Sequence, residues 1–183
     1  SDYKFFVPEE FNVSPTEQEF AATINQLLAD RRFEAAVDLA TAALGEISDG
    51  QGRALVRIME ALDKQRQDTM LASFAETVAA RGLLPVESGI FRLRVAFRAG
   101  DHVGALAIAD GILAVSNRNI EALRTGGRIG NLMRDDTVAL RYWLPLAEIS
   151  PLDPEAALQT ARIHSRAARH ADALPGVVRR LLA

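Results

Sequence analysis

The feature that most limits what this chain can fold into is a recurrence every 34 residues. Two stretches show it first: Arg31-Arg32-Phe33-Glu34-Ala35-Ala36-Val37 and Gly100-Asp101-His102-Val103-Gly104-Ala105-Leu106. Each reads as the end of one helix, a tight turn, and a second helix opening on a small residue. With the turns in register, Ala36, Met70, Ala105, Ala139 and Ala173 share one position, at intervals of 34, 35, 34 and 34. Ile24, Ile58, Leu93, Gly127 and Ala161 share a second position at the same intervals. Such a period marks a repeat architecture, in which each unit covers its apolar face only by stacking on its neighbours.

Local signals agree with helices. Apolar residues recur at helical spacing, as in Ile24, Leu27 and Leu28, and again in Val37, Leu39, Ala40, Ala43 and Leu44. Pro15 and Thr16 open a first helix, with Glu17 and Glu19 favoured by its dipole. Ser150-Pro151-Leu152-Asp153-Pro154 ends one helix and starts another. Pro145 and Pro175 fall inside predicted second helices; Pro175 is near a helix start, whereas Pro145 is expected to kink its helix or end it early. The expected fold is all-α: a right-handed solenoid of about five helix-turn-helix repeats, or about ten antiparallel helices. The repeats are placed at 17–50, 51–85, 86–119, 120–153 and 154–183. Residues 1–16, with Tyr3, Phe5, Phe6 and Phe11, form an aromatic arm expected to cap the first repeat. Val177, Val178, Leu181 and Leu182 leave the other end uncapped, which suits a second copy or a continuation of the chain.

The pattern resembles the tetratricopeptide family, whose 34-residue helix pairs carry a small residue, an apolar one four later, and then proline. Ala139, Trp143 and Pro151 match that ending in the fourth repeat, and Met70 with Phe74 match it in part in the second. Gly127 matches the glycine of the family's first helix. The family's tryptophan and tyrosine of the first helix are missing throughout, so the array is degenerate. The resemblance implies a concave groove lined by first helices, with Asn25, Met59, Arg94, Arg128 and Arg162 at equivalent groove-facing places. The three arginines would form a ladder with rungs roughly 10 Å apart. Arg98, Arg124 and Arg166 stand four residues from these on the same helices, and like charges at that spacing disfavour a helix by a few tenths of a kcal/mol. Asn131 and Gln159, also groove-facing, would add hydrogen bonds. Glu87, Glu121 and Glu155 repeat at the same period and offer the opposite reading, reaching across to neutralise the ladder. The first half of the groove, with Leu28, Leu55, Val56 and Leu62 beside Asn25 and Met59, reads as apolar, although Leu55 and Leu62 are better explained by packing.

Composition narrows the function. The net charge of −3 conceals an asymmetry. Residues 1–85 hold 8 basic and 14 acidic side chains, a balance of −6; residues 86–183 hold 13 and 10, a balance of +3. No apolar run approaches the roughly 20 residues that span a bilayer. The absence of cysteine excludes disulfide and thiolate chemistry and fits the cytoplasm, the expected location, with a periplasm left open. His102, His164 and His170 lack metal-ligand spacing, and His102 and His170 fall at equivalent turns of different repeats. Gly126-Gly127-Arg128-Ile129-Gly130 lacks the strand and lysine of a phosphate loop, so helix packing explains it better. No catalytic site, metal or cofactor is read from the sequence. The expected function is a non-catalytic protein-interaction scaffold holding an acidic or carboxylate-terminated peptide. By resemblance, the alternative is an accessory domain of a larger bacterial enzyme, such as a glycosyltransferase or sulfotransferase. RNA binding ranks third, because acidity and a lack of groove aromatics disfavour it.

Overall fold

The computed structural model describes residues 15–47 and 51–181, with side chains described over 16–47 and 51–170. Among the described residues every regular element is a helix. They are α1 (Pro15–Ala29), α2 (Phe33–Ala43), α3 (Gly52–Lys64), α4 (Asp68–Ala80), α5 (Pro85–Arg98), α6 (His102–Val115), α7 (Ile120–Leu132), α8 (Asp136–Ile149) and α9 (Pro154–Leu181). Most of the expected aromatic arm, residues 1–14, lies outside the described residues, as do the side chains of Val177, Val178 and Leu181 and all of Leu182.

The chain divides into two compact units, Ser1–Ser88 and Gly89–Ala183, with the division inside α5. In the first, α1 packs on α2 and α3, while α4 packs on α2 and α3. In the second, α7 packs on α6 and α8, and α8 packs on α9. Short turns force consecutive helices to run antiparallel, and this packing of neighbours is that of a helical-repeat solenoid.

The turns within the pairs are built alike. Arg31, Arg66, Gly100 and Arg134 hold positive φ, between 56° and 74°. At each, the next residue's N–H reaches back five residues: Arg32 to Leu27, Gln67 to Leu62, Asp101 to Ala96, and Asp135 to Gly130. The positive-φ residue itself reaches back three. This double closure, a Schellman motif, satisfies carbonyls that the helix end leaves open. Asp101 and Asp135 then cap the following helix, accepting from the N–H groups of Gly104 and Val138.

Each unit has its own core. In the first, Leu55, Ile58, Met59 and Leu62 make one fully buried stripe along α3, facing a core that includes Ile24, Leu71, Phe74 and Val78. Burying such a side chain stabilises the fold by about 1.5–3 kcal/mol. In the second, three glycines let α7 and α8 approach closely. A Cβ on Gly126 would lie 2.5 Å from the Tyr142 ring, and one on Gly127 2.4 Å from the Trp143 indole. A Cβ on Gly130 would lie 2.4 Å from the Ala139 backbone nitrogen. The glycine run therefore serves packing.

Two expectations at the C-terminal end need correction. The last repeat is not a pair: α9 runs unbroken through His170 and Pro175. Continuing the 34-residue series of positive-φ turns would require one at Ala168, and the run from Ala161 to Ala171 holds no glycine, asparagine or aspartate to start a turn. Of the kink or early end expected at Pro145, the early end does not occur, since α8 continues to Ile149. Pro145 removes one internal hydrogen bond, while Tyr142, Trp143 and Leu146 on either side are buried and hold the helix in place.

Candidate functional site

The arginines at the equivalent places of successive helices meet acids that arise 27 residues later. On α5, Arg94 donates from Nε to Glu121 Oε1 at 2.6 Å and from Nη2 to Oε2 at 2.9 Å. On α7, Arg128 donates through the same two nitrogens to Glu155, both at 2.7 Å. These are forked, charge-assisted pairs, the strongest geometry the two groups can form. Each glutamate sits in the first turn of its helix, two residues after the cap: Asn119 for α7, whose side chain accepts from Ala122 N–H, and Asp153 for α9. Arg94 also lies over the Phe91 ring, 5.1 Å from its centre. The bond to Glu155 is the main cause that raises the Arg128 pKa.

Arg124, one turn before Arg128, pairs with Asp153 and lies 3.5 Å from Glu155. Asp153 is buried and also accepts from the N–H groups of Ala156 and Glu155. The Ala156 bond, followed by Arg124, pulls its carboxyl below the ordinary range. Arg166 on α9 is held by Asp136 at the start of α8, Nε to Oδ2 at 3.2 Å. Arg98 is half-buried and has an interaction of its own within the fold. The ladder is thus answered by acid at two of its three rungs, as the recurring glutamates allowed.

The third rung differs. Arg162 on α9 is exposed and makes no hydrogen bond or ion pair among the described residues. It borders two clefts. One, of about 480 Å³, is lined by Asn131, Arg134, Asp136, Gln159, Arg162 and Arg166. The other, of about 530 Å³, is bounded by Ala161, Arg162, Ser165, Arg166 and Arg169. The structure therefore brings Asn131, Gln159, Arg162 and Arg166 together, and adds Arg134 and Arg169, which sequence reading did not single out. A sequence signal existed for Arg169, seven residues after Arg162 on one face of one helix. Arg134 is there because the Schellman turn projects it between α7 and α8.

The first half of the expected groove fares otherwise. Met59 is fully buried in the α3 stripe, with Leu55 and Leu62, and offers nothing to a ligand. Asn25 is exposed and accepts from Arg57 Nη1 at 2.8 Å. Elsewhere in the second unit, Tyr142 donates its hydroxyl proton to Asp110 at 2.7 Å, and Arg141 stacks on its ring. Burial, and then Asp110, push the Tyr142 pKa up to about 12. A phenol held this firmly fastens α8 to α6 and is poorly suited to proton transfer near neutrality.

Among the described residues, no group of three metal-binding side chains is assembled, and no helix is long and apolar enough to cross a membrane. Compared with protein-family models and with curated proteins, the chain matches neither.

Proposed function

We propose that this chain is a tetratricopeptide-like interaction scaffold that holds an acidic or carboxylate-terminated peptide at the Arg162 clefts. One observation carries the reading. Arg94 and Arg128 each hold a glutamate in a two-pronged grip, whereas the equivalent Arg162 stands exposed without an acid. Arg134 and Arg169 add positive charge beside it, while Arg166 is answered by Asp136 in the same cleft, and Asn131 and Gln159 supply amide groups that can hydrogen-bond to a peptide. A cationic cleft of this kind raises the local concentration of an anionic partner and speeds its arrival.

The test is fluorescence anisotropy with a labelled, glutamate-rich peptide across a salt series. Arg162→Gln is expected to weaken binding about tenfold and to flatten its salt dependence, as expected for loss of one charge-assisted contact. Arg134→Gln and Arg169→Gln should have smaller effects in the same direction. Arg94→Gln, whose charge is already answered within the fold, should leave affinity nearly unchanged. Affinity indifferent to Arg162→Gln and Arg134→Gln would refute the reading.

A further inference from the structure

The grip seen at Arg94 and Arg128 has a further equivalent place, in the first unit, and there the cation is missing. Measured from the positive-φ turn that ends each helix, Arg94 stands six residues before Gly100 and Arg128 six before Arg134. Six residues before Arg66 stands Glu60, one place along from the buried Met59. Glu87, in the first turn of α5, follows Glu60 by 27 residues, as Glu121 follows Arg94 and Glu155 follows Arg128. Two glutamates thus occupy the place of an arginine and a glutamate. Both are exposed and line one cleft of about 400 Å³, which lies wholly within the first unit. Neither makes a hydrogen bond or ion pair among the described residues. Arg53 and Arg57 border the same cleft but leave both acids unanswered. Arg57 donates instead to Asn25 on α1, and Arg53 makes no pair among the described residues. Val56 and Leu84 complete the lining with apolar wall.

We propose that this cleft takes the guanidinium of an arginine carried by a partner peptide, held by Glu60 and Glu87. The fold supplies that cation itself at Arg94 and Arg128, and here it is drawn from outside. Val56 and Leu84 cover the aliphatic stem, the part of an arginine that gains from apolar contact. Guanidinium is preferred to ammonium because its planar fork makes two parallel bonds to a carboxylate, the geometry both internal pairs use. A divalent ion fits less well, since it favours six or more oxygen ligands and no third metal-binding side chain joins these two among the described residues. This site is opposite in sign to the Arg162 clefts, and neither reading depends on the other.

The probe is the end-blocked peptide Gly-Ala-Arg-Ala-Gly, titrated against the full chain and followed by amide NMR shifts. It should move the amides around Glu60 and Glu87. Citrulline in place of arginine, which keeps the shape and loses the charge, should weaken binding about tenfold, and lysine should weaken it several-fold. Glu60→Gln and Glu87→Gln should each weaken it about three- to tenfold, whereas Arg53→Gln, which removes a repelling charge, should tighten it. Glu60→Arg should supply the missing cation from within, raising the urea midpoint and displacing the peptide. That gain in stability cannot come from misfolding, and Glu87→Gln in the same chain should cancel it. Equal binding of the citrulline peptide, binding indifferent to both glutamine variants, or a lower midpoint for Glu60→Arg would each overturn the proposal. If calcium chloride moves these amides and the arginine peptide does not, the cation is a metal and the assignment falls. If sedimentation shows the protein alone associating through a contact that Glu87→Gln breaks, the occupant is a second copy and the partner assignment is overturned.

Discussion

Gly130 and Gly111 show how the same side chain can be decisive at one place and idle at another. A Cβ on Gly130 would meet backbone at 2.4 Å, which cannot swing aside, whereas nothing lies within 4 Å of one on Gly111. Gly130→Ala is expected to destabilise by about 1–3 kcal/mol through overpacking, despite alanine's better helix propensity. Gly111→Ala should stabilise by up to about 1 kcal/mol. Urea titrations of the two variants read both signs directly. At this scale much was visible in the chain: the close spacing of Gly126, Gly127 and Gly130 already pointed to packing. Met59 was not read correctly, although Leu55, Ile58, Met59 and Leu62 recur three and four apart, as a buried stripe does. The repeat register placed Met59 in the groove, while the hydrophobic period placed it in the core, and burial of apolar area decided between them.

Helix ends carry the next set of consequences. Arg66 adopts a φ of 57°, a conformation that disfavours a residue with a Cβ by roughly 1–2 kcal/mol. Arg66→Gly should therefore raise stability by about 1 kcal/mol, read as a higher urea midpoint with unchanged slope. At the start of α9, Asp153 has its pKa lowered below 3.8 by the Ala156 N–H and Arg124. Because the folded value is the lower one, the unfolded chain takes up the proton first as pH falls. The stabilisation is full above 3.8 and drains away as pH drops through the folded-state value. Asp153→Asn keeps an acceptor at the cap but loses the charge. It should be less stable than the native chain at neutral pH, with the gap closing in acid; a gap constant down to pH 2 would refute this. Helix starts were legible because proline, threonine and aspartate punctuate them. The missing last turn escaped because arginine already fills three of the four positive-φ positions, so residue type gave little warning at Ala168.

For the whole molecule, the repeat was plain from the sequence, and the fate of its charges was not. Whether Glu121 and Glu155 reach the arginines depends on how closely successive helices lie, a distance that spacing in the chain does not report. The two units also allow core and site to be tested apart. Met59→Ala should cost the first unit about 2–5 kcal/mol. It should leave acidic-peptide binding through Arg162 unchanged at temperatures where the protein stays folded, as judged by circular dichroism. The grip itself has a consequence for length variation. Its 27-residue spacing is one 34-residue period less seven, and seven residues are about two helical turns. The pair therefore measures a place on the neighbouring helix, not a length of chain. An extra residue in the loop between Ser150 and Asp153 would leave Glu155 opposite Arg128, whereas the same insertion between Glu155 and Ala161 would swing it about 100° away. Related chains should accordingly tolerate insertions in that loop and resist them in the first two turns of α9.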